Sequence, residues 1–145
     1  MTRRESTQRA PMTTYGQLLE KVRYDGVYPT RRRAEEALRA VLPVLGRQLT
    51  DEGRAVLAGC LPVEASELLA AEASAPAMEP LTDRDFVEDV AHRTGSAYAV
   101  ACWDTETVLT NLAALTGPVL LPRLLVQLPA SYAPLFGRTP HAQAA

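Results

Sequence analysis

The chain has 145 residues, 47% of them hydrophobic, 22% charged and only 6% aromatic. That length and apolar share exclude a disordered chain, and the Leu/Ala-rich, aromatic-poor mix favours helices over sheets. The net charge is −2 but uneven: residues 1–54 hold eleven Arg or Lys against seven Asp or Glu, and residues 55–145 hold four against ten. An acidic chain without interleaved aromatics is a poor nucleic-acid binder. The longest apolar run, residues 119–126, is interrupted by Pro122 and Arg123 and is too short to span a bilayer.

Residues 1–12 read as a polar tail. Leu18, Leu19 and Val22 begin the first apolar stripe, closed by Asp25-Gly26, with Gly26 the expected left-handed cap. Thr30 caps a second helix whose stripe, Leu38, Val41, Leu42 and Leu45, has i, i+3, i+4, i+7 spacing. Thr50 caps a third, with Asp51 and Glu52 in its first turn. Pro62 opens a fourth that ends near Ala70. Small residues and two prolines make residues 71–81 a linker. Thr82 then starts a fifth helix with Asp85 three residues on.

From there the pattern repeats. Phe86, Val87 and Val90 answer Leu18, Leu19 and Val22 at an offset of 68, and Gly95 answers Gly26 at 69. Val108, Leu112 and Leu115 answer Leu38, Leu42 and Leu45 at 70, and Leu128-Pro129 answers Leu61-Pro62 at 67. The expected fold is all-α: two tandem four-helix units, residues 13–70 and 82–136, about eight helices in one bundle-like domain, with a tail over 137–145. Each Leu-Pro pair reads as a corner, because proline disfavours helix in the residue before it and suits the first position of the next. In the second unit Thr116-Gly117-Pro118 replaces the Thr-acidic cap. Pro122 falls inside the expected seventh helix, which should start late, near Leu121, or kink.

The run from Glu35 to Leu69, EEALRAVLPVLGRQLTDEGRAVLAGCLPVEASELL, resembles a bacterial, mainly actinobacterial, helical family catalogued as domain of unknown function 2267. The resemblance covers about residues 15–136. It implies the helical fold and a cytoplasmic setting, sometimes near stress-response genes, and implies no activity.

Three groups of residues stand out as candidate sites. Arg31, Arg32 and Arg33 fall in the first turn of the second helix, where cations oppose the helix dipole; with Arg39 they form a candidate patch for an anion or a protein partner. Trp103 reads as a packing anchor just before the sixth helix, with Asp104 as its N-cap or first-turn acid. Trp103, Pro118 and Pro122 are the expected rim of an apolar pocket between the two units. Cys60, Cys102 and His92 lack ligand or nucleophile spacing, and two thiols outside a disulfide framework suit a reducing cytoplasm. The leading expectation is a cytoplasmic, non-enzymatic interaction module without cofactor, metal or membrane span, binding a protein partner or a second copy. The competing one is a small-molecule binder using the apolar pocket between the units.

Overall fold

The computed structural model describes residues 13–74 and 80–137; the tails over 1–12 and 138–145 and the middle of the linker lie outside them. Six α-helices and a closing 3-10 turn follow in order: α1 (Tyr15–Gly26), α2 (Arg31–Gln48), α3 (Asp51–Ala58), α4 (Val63–Ala70), α5 (Asp83–Thr94), α6 (Tyr98–Leu125) and the turn Ala130–Phe136. Among the described residues there is no strand. The protein is all-α.

Local chemistry explains most of the helix starts. Thr30, Thr50 and Thr82 each accept a bond from the backbone N–H three residues on, at 3.1, 3.0 and 3.0 Å, satisfying one of the orphan donors of a first turn. Thr14 does the same for α1, and Gln17 reaches back to the Thr14 N–H at 2.9 Å to complete a capping box. Pro62 and Pro129 precede α4 and the 3-10 turn, so both paired Leu-Pro corners form. Two further Leu-Pro pairs, Leu42-Pro43 in α2 and Leu121-Pro122 in α6, lie inside helices and end neither.

Three expectations need correction. The left-handed residue after α1 is Val27 (φ 56, ψ 43), and Gly26 stays helical. Offset 68, the offset of the first stripe, is the one that sets Val27 opposite Gly95, the left-handed cap of α5 (φ 71). The sixth helix starts at Tyr98, not after Trp103, so Asp104 is no cap. The expected seventh helix does follow, as a second arm set off by one break at Gly117 (φ 79, ψ 173), a conformation close to glycine-only, but it begins before Leu121. Pro118 starts the second arm at once, over 118–125, with Pro122 inside it.

α2 lies at the centre, packed against α1, α4, α5 and α6, while α6 also packs on α1, α5 and the 3-10 turn. Its stripe from Ala34 to Leu45 is buried together with Leu18, Val22, Leu69, Phe86, Val108, Leu112 and Tyr132. Gly46 sits against the Leu69 carbonyl, where a Cβ would collide with backbone, so glycine there sets the approach of α4 to α2.

Candidate interaction surface

The arginine triplet does not form one patch, because successive helical residues point about 100° apart. Arg31 turns toward α1, its Nε 2.7 Å from Glu20 Oε2. Arg32 is exposed, without an ion-pair partner among the described residues. Arg33 turns inward and bridges both oxygens of Asp104 at 3.0 and 3.1 Å. Arg39 is exposed, with Nη2 3.6 Å from Glu35 Oε2. Arg32 and Arg39 therefore stand on the outward face of α2 beside Glu35 and Glu36, while Arg33 belongs to the interior.

Asp104 has 0% exposure. Besides Arg33 it accepts a 2.5 Å bond from the Tyr28 hydroxyl, and the Arg33 guanidinium lies 4.9 Å from the Tyr28 ring centroid. Burial, and then the bond to Asp104, pushes the Tyr28 hydroxyl well above the usual tyrosine range. At the sequence offset of 70, Asp104, Thr107 and Asn111 align with Ala34, Ala37 and Val41 of α2. Polar groups thus replace apolar ones along one side of α6, facing the end of α1 and the loop after it. Asn111 Nδ2 donates to Asp25 at 3.0 Å, continuing that polar seam. Both Asp104 oxygens are bonded, but Arg33 Nη1 is buried without a hydrogen-bond partner among the described residues, so the pair joins α6 to α2 with its polar groups only partly satisfied.

Between the halves there is an apolar void of about 10 Å³, lined by Leu45, Leu49, Leu57, Leu112, Thr116, Leu121, Leu124, Leu128 and Phe136. That is about the room of one water, against roughly 300–1,000 Å³ for small-molecule sites. Trp103, Pro118 and Pro122 do not line it. The first arm of α6 holds Trp103 roughly 20 Å from Pro118, and the indole donates instead to the Gly26 carbonyl at 2.9 Å. All three are exposed, on two arms of α6 set apart by the break at Gly117, and do not meet around a mouth.

What they share is α6, whose exposed residues are largely uncharged on both arms. On α2 and α5 the solvent face is charged: Arg31, Arg32, Glu36 and Arg39 on one, Arg84, Asp85, Glu88, His92 and Arg93 on the other. The first arm of α6 instead exposes Ala99, Trp103, Glu106, Thr110 and Ala114, spaced by three or four residues. The second arm exposes Pro118, Val119, Pro122 and Arg123, with Val126 just beyond. Trp103, Val119 and Val126 are 49%, 75% and 81% exposed. Glu106, on the first arm, and Arg123, on the second, are the only charges among these exposed residues. A solvent-facing helix surface is ordinarily polar, and contiguous exposed apolar surface marks contact sites. Its signal in the sequence was the absence of charge between Glu106 and Arg123, four turns of helix.

By length and composition α6 is also the one helix among the described residues apolar enough to cross a membrane. It breaks at Gly117, however, and its first arm buries Asp104 and Asn111 against α1 and α2. Both thiols are half-buried and raised above the ordinary cysteine range, Cys60 by burial and Cys102 by burial and the nearby Glu106 carboxylate. That leaves little thiolate at neutral pH. No group of three or more metal-ligating side chains converges among the described residues.

A family model described as Uncharacterized conserved protein (DUF2267) matches residues 15–135, from the first residue of α1 to the last but one of the 3-10 turn. The chain belongs to this family. No curated protein matches it. The DUF2267 match spans the whole of α6, so its exposed, largely uncharged residues lie within the family domain.

Proposed function

We propose that this DUF2267 protein is a non-enzymatic interaction module that works in the cytoplasm and docks a protein through the outward face of α6. One observation carries the reading: an exposed apolar stripe on α6 where the other long helices present charge. The pairing of aromatic and aliphatic anchors with few charges matches the composition of interface cores. Two half-buried thiols with raised pKa suit a reducing compartment. Arg32 and Arg39, solvated beside Glu35 and Glu36, add nothing further to it.

Site-specific photo-crosslinking in the native host tests the reading. A photoreactive residue at position 119 should give a defined adduct that Val126→Glu abolishes, while one at position 36, on the outward face of α2, should give none. Val126→Glu should leave stability within about 0.5 kcal/mol, since the side chain is exposed. No adduct, or the same adduct from both positions, would overturn the reading.

A further inference from the structure

We infer that the groove along the outer side of α1 docks an acidic segment of a protein partner, with its carboxylates on Arg23 and Arg31 and its chain laid across Tyr24. This surface is separate from α6, so the inference stands or falls independently of the reading above. The groove holds about 560 Å³, and Gly16, Glu20, Lys21, Arg23, Tyr24 and Arg31 are among its lining residues. Three cations there meet one acid; Lys21 donates to Asp25, outside the lining, at 2.8 Å. Glu20 gives each carboxylate oxygen to a different arginine. Arg23 Nε and Nη2 donate to Oε1 at 3.1 and 3.0 Å, and Arg31 Nε donates to Oε2 at 2.7 Å. These bonds, that from Arg31 first, hold the Glu20 carboxyl below the usual carboxylate range. It therefore stays ionised and keeps both guanidiniums in place.

Each guanidinium still has N–H groups to give. Arg23 Nη1 and Arg31 Nη1 and Nη2 make no hydrogen bond among the described residues, and a guanidinium fork matches a carboxylate. Gly16 keeps the floor low beneath Arg31, whose Nη1 lies 3.6 Å from where a Cβ would stand. Tyr24, 76% exposed, adds an amphipathic ring to the lining. Arg31 and the exposed Arg32 also stand in the first turn of α2, which holds no acid, so the helix dipole adds to their positive field. The chain's own preceding segment is a poor occupant. Thr14 lines the groove, but residues 1–12 carry Arg3, Arg4 and Arg9 against Glu5. A compact dianion fits less well than spaced carboxylates, because the Glu20 charge stands between the two guanidiniums. The groove is open along its length, which suits an extended chain better than an enclosed small molecule.

Fluorescence anisotropy on the full chain, with a fluorescein-labelled peptide alternating Glu and Pro, is the test. The peptide should bind less tightly as salt rises, and its counterpart with Gln for Glu should bind roughly tenfold or more weaker. Arg23→Gln and Arg31→Gln should each weaken binding about fivefold or more. Arg39→Gln removes the same charge from the outward face of α2 and should leave binding within about twofold. A misfolded variant would also lose binding, so far-UV circular dichroism accompanies each. The double variant Arg23→Glu/Arg31→Glu should in addition prefer the peptide with Lys for Glu, a reversal that loss of fold does not produce. No binding up to about 1 mM, equal binding of the Glu and Gln peptides, or an Arg39→Gln as damaging as Arg31→Gln would each overturn the inference. So would displacement of the peptide by inorganic pyrophosphate at concentrations below the peptide's own Kd, which would make the groove a phosphate site. A dimer in light scattering that Arg31→Gln dissociates would give the groove to a second copy and overturn it equally. None of these outcomes bears on the adduct from position 119.

Discussion

Val27 holds a left-handed backbone conformation with its side chain 79% exposed. For an L-residue that conformation costs roughly 1–2 kcal/mol, and β-branching makes it worse. Gly95 makes the corresponding turn after α5 without that cost. Val27→Gly should therefore raise stability by about 0.5–1 kcal/mol, once the extra freedom glycine gives the unfolded chain is deducted. Thermal unfolding should show a rise in Tm of roughly 2–4 °C; a fall would mean that the isopropyl group makes contacts outweighing the strain. The glycine next door misled the sequence reading for a physical reason. Gly26 is used for close approach: the Tyr28 ring fills the place of its Cβ, and its carbonyl receives the Trp103 indole. A sequence shows that a glycine is present near a turn, not which of its two uses applies.

Among the elements, helix existence was readable and helix junctions were less so. Threonine caps at 30, 50 and 82 carry their own chemistry, so those starts were legible. The start of α6 was not, because Ala97 offers no side-chain cap, and the nearest acid, Asp104, went to the core instead. Leu42-Pro43 shows the limit of the Leu-Pro rule: apolar residues continue on both sides of Pro43, and burial of that stripe outweighs one missing backbone bond. Asp104 itself fastens α6 to α2 and to the loop after α1. Asp104→Asn should cost about 2–3 kcal/mol and lower Tm by roughly 6–12 °C, since the half-buried Arg33 guanidinium loses its counter-charge. Replacing the whole network at once, with Arg33→Met, Asp104→Leu and Tyr28→Phe, should recover most of that loss. A triple variant no better than Asp104→Asn would mean that the network's shape, rather than its charge balance, holds the junction.

For the whole molecule, three tyrosine hydroxyls tie distant segments together: Tyr15 to Glu35 at 2.8 Å, Tyr28 to Asp104 at 2.5 Å and Tyr132 to the Leu81 carbonyl at 2.7 Å. All three are raised above the ordinary tyrosine value of 10.0, first by burial and then by the carboxylates near them. A group whose folded pKa is raised contributes stability that is full below its unfolded pKa and lost above it. Stability should thus hold up to about pH 10 and fall steeply beyond, followed by circular dichroism in denaturant. Equal stability at about pH 9 and about pH 12 would contradict this. The all-helical class was legible from composition and period alone. The candidate face was not, because a run of Ala, Thr, Val and Pro on a helix looks the same whether it faces a core or solvent, and only the placement of its neighbours decides.

The bond between Tyr28 and Asp104 joins residues 76 apart, and that separation bears on how the chain comes to fold. During synthesis the first half is complete while Arg33 and Tyr28 still lack their acceptor and α2 still lacks α5 and α6 along its flank. Such long-range closure slows folding relative to a bundle with only local contacts. The nascent first half should remain a loose collapsed state until the second emerges, and the finished protein should unfold in one cooperative step rather than half by half.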